Sequence, residues 1–276
     1  MRTEAKVRIA FRIRLAILVG LLAMTVLFAL HDISSRRART EWKRPVSVAV
    51  ALVQLGPVDQ SALNALDGRF RVLEARFAAE YHRYGGQLDR PVTFTLYGPV
   101  TVDRPPPPDP DSDIPSLARH AYELWRWTHA VDQSCGLPTR SFDSRIYLVM
   151  SAPQDKGRQW VEGSSESGGR IGLAKVELDV TSVDLALFVA SHELLHTLGA
   201  TDKYDPSGLA LVPSGLVEPD RVPRFPQRYA EVMARNLVLA PGKERPPDSI
   251  AELGVGIATA REIGWAPQPA APAQSR

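Results

Sequence analysis

The sequence predicts an α+β fold, because stretches with strand chemistry alternate with stretches of helical periodicity before a proline-broken C-terminal region begins. Three observations carry this. Residues 45–55 (PVSVAVALVQL), 91–97 (PVTFTLY), 145–151 (RIYLVMS) and 170–179 (RIGLAKVELD) are rich in β-branched and apolar residues. Residues 59–83 and 115–133 carry apolar side chains at helical spacing. Residues 181–198 read as a helix that is apolar all round in its first half, the mark of a buried helix. The chain has 276 residues, enough for one domain or two closely packed lobes.

Taken in order, the chain opens with a basic stretch ending at Arg14, followed by an uncharged apolar run over 15–30 (LAILVGLLAMTVLFAL). With Arg14 and Arg36-Arg37 able to reach headgroups, and no Ala-x-Ala cleavage site after it, this run is expected to be an uncleaved transmembrane signal-anchor. Residues 1–44 then comprise a cytoplasmic basic segment, the anchor and a juxtamembrane linker. The membrane would be a partner through this helix, with the rest outside the cytoplasm, periplasmic or extracellular. A cleaved segment would make the protein secreted.

Charge divides the same way. Residues 1–44 hold ten Lys/Arg against three Asp/Glu, although the whole chain is only +2. The remainder is therefore net acidic, and nucleic acid is not an expected partner. The single cysteine, Cys135, excludes an intramolecular disulfide and a cysteine-based zinc site.

Past the strand at 45–55, Leu63, Leu66, Phe70, Leu73 and Phe77 define a helix that ends at Gly85-Gly86. Arg104 to Pro110 (RPPPPDP) must be an extended surface loop. On the 115–133 helix, Leu117, Tyr122, Leu124, Trp125, Trp127 and Val131 are expected to pack, while His120 and His129 read as structural or solvated. Residues 163–169 (GSSESGG) read as a flexible turn. Thr181 with Asp184 fits a capping box for the next helix, with Ser182 as an adjacent cap. Residues 207–229 are loop, a last helix is expected near 249–263, and 266–276 is a low-complexity tail expected to be disordered.

The chemistry concentrates in Ser191 to Asp202 (SHELLHTLGATD). Histidines four apart on a helix differ by about 40° in direction and about 6 Å in height. Both imidazoles of His192 and His196 can therefore grip one metal ion, while Glu193 can reach water as a general base. Gly199 lets the chain leave the helix in a left-handed turn. No histidine follows His196, so a third ligand comes from upstream (His82, His120 or His129) or from a downstream carboxylate.

The pattern HExxHxxGxxD in these residues resembles the metzincin clan of zinc metallopeptidases, in the snapalysin-like variant with aspartate in place of the third histidine. The resemblance covers about twelve residues strongly and the 45–265 architecture loosely. It implies a bound Zn2+, Asp202 as third ligand, and Glu193 as catalytic base acting on a peptide or protein substrate. It also implies a twisted mixed sheet with long helices in an upper lobe, an active-site helix, and a small, mostly irregular lower lobe ending in a helix. A structural methionine turn would lie under the metal, for which Ala230 to Ala234 with Met233 is the candidate. By the same resemblance, strand 170–179 would be the sheet edge that holds an extended peptide. The runner-up ligand scheme is a glutamate as in thermolysin-like enzymes, Glu218 or Glu231. Tyr204 or Tyr229 could donate a hydrogen bond to the tetrahedral oxyanion, although neither matches a defined family position. Cys135 to Pro138 (CGLP) resembles the matrixin cysteine switch, against the default of a structural cysteine. The competing class is a non-catalytic, membrane-tethered binding or scaffolding protein with a structural metal. Such sites usually close with four protein ligands, and this motif offers three.

Overall fold

Period-two alternation organises the larger part of the chain. The computed structural model describes residues 2–153, 161–165 and 169–268 and separates into two units, Met1–Glu41 and Trp42–Arg276.

The second unit is mixed α/β. Its strands are β1 (Val46–Gln54), β2 (Val92–Thr101), β3 (Ser144–Ser151), β4 (Val161–Ser165) and β5 (Ile171–Glu177), joined in the order β2-β1-β3-β5-β4. The first four pair in parallel and β4 is antiparallel to β5. Helices α2 (Gln60–Arg83) and α3 (Ile114–Cys135) supply crossovers, and α4 (Val183–Thr197) follows the last strand of the sheet. Val48, Val50 and Leu52 of β1 belong to one apolar cluster with α2 and α4, whereas Ala49, Ala51 and Val53 join a second with Val131 of α3. Successive side chains of a strand point to opposite faces, so α2 and α4 cover one face of the sheet and α3 the other.

The two sides are unequal. On α2, Leu63, Leu66, Phe70, Leu73 and Phe77 are buried as their spacing predicts. On α3 only Ser116, Thr128, Val131 and Asp132 are buried, while Leu117, Tyr122 and Trp125 are exposed. The expected packing surface of this helix is thus corrected to a narrow stripe on which Leu117, Tyr122 and Trp125 do not lie.

Helix α4 is almost wholly buried. The capping box does not form. Asp184 instead pairs with Arg69 and accepts the Ile250 N–H at 3.0 Å, and Asp179 takes the Thr181 and Ser182 N–H groups at 2.8 and 3.0 Å.

Beyond α4 the chain is mostly irregular. It holds β6 (Ala230–Glu231), a 3-10 turn at Val232–Ala234, β7 (Leu237–Ala240), β8 (Lys243–Arg245), a second turn at Ile250–Glu252, β9 (Leu253–Gly254) and α5 (Ile257–Glu262). The helix expected over 249–263 is therefore broken. A Cβ at Gly254 would meet the side chains of Val217 and Tyr229 at 2.7–2.9 Å, and one at Gly256 would meet the Leu216 carbonyl at 2.7 Å. These glycines allow close backbone approach in place of helix.

Two further expectations change. Residues 161–165 are a strand, not the start of a turn, and β4 rather than β5 is the sheet edge on that side. Residues 166–168 of the expected turn, and 269–276 of the expected tail, lie outside the described residues.

The first unit is a single helix, α1 (Arg2–Thr40), which continues through the expected juxtamembrane linker. The transmembrane signal-anchor is corrected: among the described residues, no helix is long and apolar enough to cross a membrane. The reason is length. Sixteen residues rise about 24 Å as a helix, against a hydrocarbon core of roughly 30 Å, and charged residues bound the run on both sides. The membrane as a partner and the single-pass location lose their basis with it.

Candidate metal centre

Three elements converge on the site: the buried helix α4, the turn that leaves it, and the 3-10 turn at Val232–Ala234. Helix α4 can sit close to the sheet because β5 carries Gly172, where a Cβ would meet the Ile146 Cδ1 at 2.7 Å and the Glu193 Cβ at 3.0 Å. Any side chain there would push Glu193 away from the sheet.

The helix ends as a reversal. Gly199 has φ of +100°, a conformation glycine adopts without strain, and the Ala200 N–H returns to the Leu195 carbonyl at 3.0 Å. This brings the Ala200 carbonyl to 2.9 Å from the Nδ1 of His196. From the other side, the Val232 carbonyl lies 2.9 Å from the Nδ1 of His192. A carbonyl only accepts, so both Nδ1 atoms carry a proton, and both Nε2 atoms are turned inward, where a metal would take their lone pairs.

Those lone pairs meet. The two Nε2 atoms are 3.1 Å apart, and the Oδ1 of Asp202 lies 3.2 Å from one and 3.3 Å from the other. Three acceptors cannot satisfy one another; a shared cation satisfies them all. Ligands at about 2.05 Å in tetrahedral geometry stand about 3.3 Å apart, so this spacing is that of three corners of a zinc-sized tetrahedron. His192, His196 and Asp202 thus form a group able to hold a metal ion. Burial opposes charge at both Asp202 and His196, yet the closeness of imidazole and carboxylate wins. The imidazoles hold the Asp202 carboxyl far below the usual range, and Asp202 with the Ala200 carbonyl raises His196.

The segment bearing Asp202 is held at both flanks. Glu262 of α5 accepts the Thr201 N–H at 2.9 Å and the Lys203 ammonium at 2.8 Å, and the Lys203 N–H donates to the Met233 carbonyl at 2.9 Å. The turn beneath His192 is held by Glu231. Its buried carboxylate accepts from the N–H groups of Met233, Ala234 and Gly256 and from the Thr259 hydroxyl. Burial still pushes this carboxyl up from its ordinary value. Lys203, Glu231, Glu262 and Gly172 all escaped sequence reasoning as supports; only the spacing between Gly199 and Asp202 hinted that this segment mattered.

The remaining candidates sort clearly. The Glu193 Oε1 lies 4.0 Å from the Nε2 of His192, on the side where the ligand atoms converge. Met233 is fully buried in its turn. Glu231 is committed to its four donors and Glu218 lies 4.0 Å from Arg228, so neither joins the group. The Nε2 of His82 is 3.0 Å from the Leu88 carbonyl, the Nδ1 of His120 is 2.9 Å from that of Pro108, and His129 stacks on Trp125. Cys135 ends α3, with Gly136 as its left-handed cap, and burial raises its thiol pKa. The cysteine is not among the clustered ligands. Tyr204 is the tyrosine that reaches the site: its ring is 6.4 Å from the His192 ring, and burial pushes its phenol up to about 12 against the pull of Arg235. Tyr229 instead lies under the guanidinium of Arg76.

The arrangement is that of a mononuclear site with two imidazoles and one carboxylate, flanked by a second carboxylate and a protonated phenol. No protein-family model matches the chain, and no curated protein sequence does.

Proposed function

We propose that the protein is a zinc-dependent peptidase of metzincin-like design. The observation that carries this reading is the convergence of two Nε2 lone pairs and the Asp202 Oδ1 at 3.1–3.3 Å, with Glu193 on the same helix beside them. The chemistry of the donor set fits zinc, which takes nitrogen and oxygen ligands in tetrahedral array. When bound, zinc polarises a substrate carbonyl and acidifies water.

The chain's own residues do the rest. Glu193 accepts a proton from the attacking water and passes it to the leaving amine nitrogen. The carbonyls of Ala200 and Val232 fix the tautomer and direction of both imidazoles, which raises their basicity as ligands. Met233 contributes by filling the turn beneath His192, a packing role and not a chemical one. Tyr204 keeps its proton at neutral pH and can donate to an oxygen that gains charge.

A three-ligand set with Asp202 partly exposed favours catalysis over a structural metal, since structural zinc usually closes with four protein ligands. The test is cleavage of an unfolded protein such as casein by the zinc-loaded full chain, with and without chelator. Glu193→Gln is expected to keep one zinc and to lose roughly 10²–10⁴-fold in turnover. Full activity in that variant would end the proposal.

A further inference from the structure

Several arginines fixed in the second unit have carboxylate partners: Arg44 with Asp143, Arg69 with Asp184, Arg76 and Arg83 with Glu80, Arg90 with Glu74, Arg145 with Asp132 and Arg245 with Glu252. Arg235, an exposed residue, has an aromatic ring in place of a carboxylate. Its guanidinium is centred 4.3 Å from the Tyr204 ring centroid, and among the described residues no carboxylate lies within salt-bridge distance of it. Its backbone has φ of +71° and ψ of −37°, in a region that non-glycine residues seldom occupy. It directly follows the turn whose Val232 carbonyl orients His192.

These facts place a cation one aromatic ring away from the ligand group. The Tyr204 ring lies within 28° of parallel to the His192 imidazole at 6.4 Å, and Arg235 lies against that same ring. An aromatic face restrains a guanidinium while leaving its in-plane donors free. Five N–H groups in a fixed fork, held against the ring that borders the ligand group and with no carboxylate of the described residues in salt-bridge range, match a carboxylate supplied from outside.

Resting on the peptidase reading, we propose that Arg235 is a specificity residue that receives a substrate carboxylate, so that the preferred substrates are peptides with an acidic group beside the scissile bond. That carboxylate has two sources, an Asp or Glu side chain or the chain's C-terminal carboxylate. The second would make the enzyme trim C-terminal residues.

The experiment uses zinc-loaded full-length protein and matched fluorogenic peptides. One pair carries Glu or Gln at each position flanking the cleaved bond, and another carries a free or an amidated C-terminus. Wild type is expected to favour the carboxylate-bearing member of one pair by about tenfold or more in kcat/KM. Arg235→Gln should bring that ratio near unity while neutral peptides are cut within about twofold of wild type, and Arg235→Lys should keep part of the preference. Equal cleavage of both members in wild type overturns the proposal. So does an equal loss on all peptides in Arg235→Gln, which would mean that Arg235 only supports Tyr204. Whether the proposal fails alone is seen from the neutral peptides: their cleavage leaves the peptidase reading standing, and cleavage of no peptide ends both.

Discussion

The two halves of the metal site are built by different physics. His192, Glu193 and His196 sit on α4, a helix buried against the sheet and its neighbour α2. Asp202, Tyr204 and the Val232 carbonyl sit on irregular chain, held by hydrogen bonds to the carboxylates of Glu231 and Glu262. Packing positions the first half and polar anchoring the second. The first half should therefore be disturbed by changes in volume, and the second by loss of a single carboxylate.

The largest effect is expected where polar anchoring is deepest. Glu231→Ala leaves four donors without their acceptor, three of them buried N–H groups around the turn and α5. Unmet buried donors each cost about 1–3 kcal/mol, so the variant should lose roughly 4 kcal/mol or more in denaturant unfolding. A loss under about 1 kcal/mol would mean that the turn holds itself. On the packing side, Gly172→Ala puts a Cβ 2.7 Å from Ile146 and 3.0 Å from Glu193. Overpacking of this kind costs about 1–3 kcal/mol, and displacement of Glu193 should lower turnover more than zinc affinity.

Glu262 gives a sharper contrast, since it is exposed and touches no ligand. Glu262→Ala is expected to weaken zinc binding by about 10–100-fold, as for other residues that orient a ligand indirectly, with little change in melting of the zinc-free chain. Equal zinc affinity would show that the Asp202 segment needs no brace.

The smallest effect concerns pH. The Asp184 carboxyl is buried against its charge, but Arg69 and the Ile250 N–H hold its pKa below the model-peptide value of 3.8. The unfolded chain then binds this proton more readily. The stabilisation is complete above about pH 4 and is lost as pH falls through the lower, folded value. In Asp184→Asn the fall in Tm below pH 4 should be shallower than in the parent. An unchanged slope would place the acid sensitivity elsewhere.

The same contrast explains what could be read in advance. β1, α2, β3 and α4 were legible because burial writes period two or an all-apolar face into the sequence. So was the convergence of His192 and His196, because helix geometry ties spacing four to one direction. Glu231 and Glu262 were not legible as supports, since a carboxylate that accepts distant N–H groups leaves no periodic trace. The aromatic residues of α3 misled for the opposite reason: Tyr122 and Trp125 have the chemistry of core but lie off the buried stripe of that helix. Gly254 and Gly256 interrupt the supposed last helix because Leu216, Val217 and Tyr229 approach them closely, a tertiary fact. The apolar run of α1 had the composition of an anchor without the length.

The central claim is that His192, His196 and Asp202 jointly hold one zinc ion. It is tested most directly by titrating the zinc-free full-length chain against a competing chromophoric chelator, in parallel with Asp202→Ala. The account predicts one zinc per chain and an affinity at least tenfold weaker in the variant. One zinc bound with undiminished affinity by Asp202→Ala would contradict it.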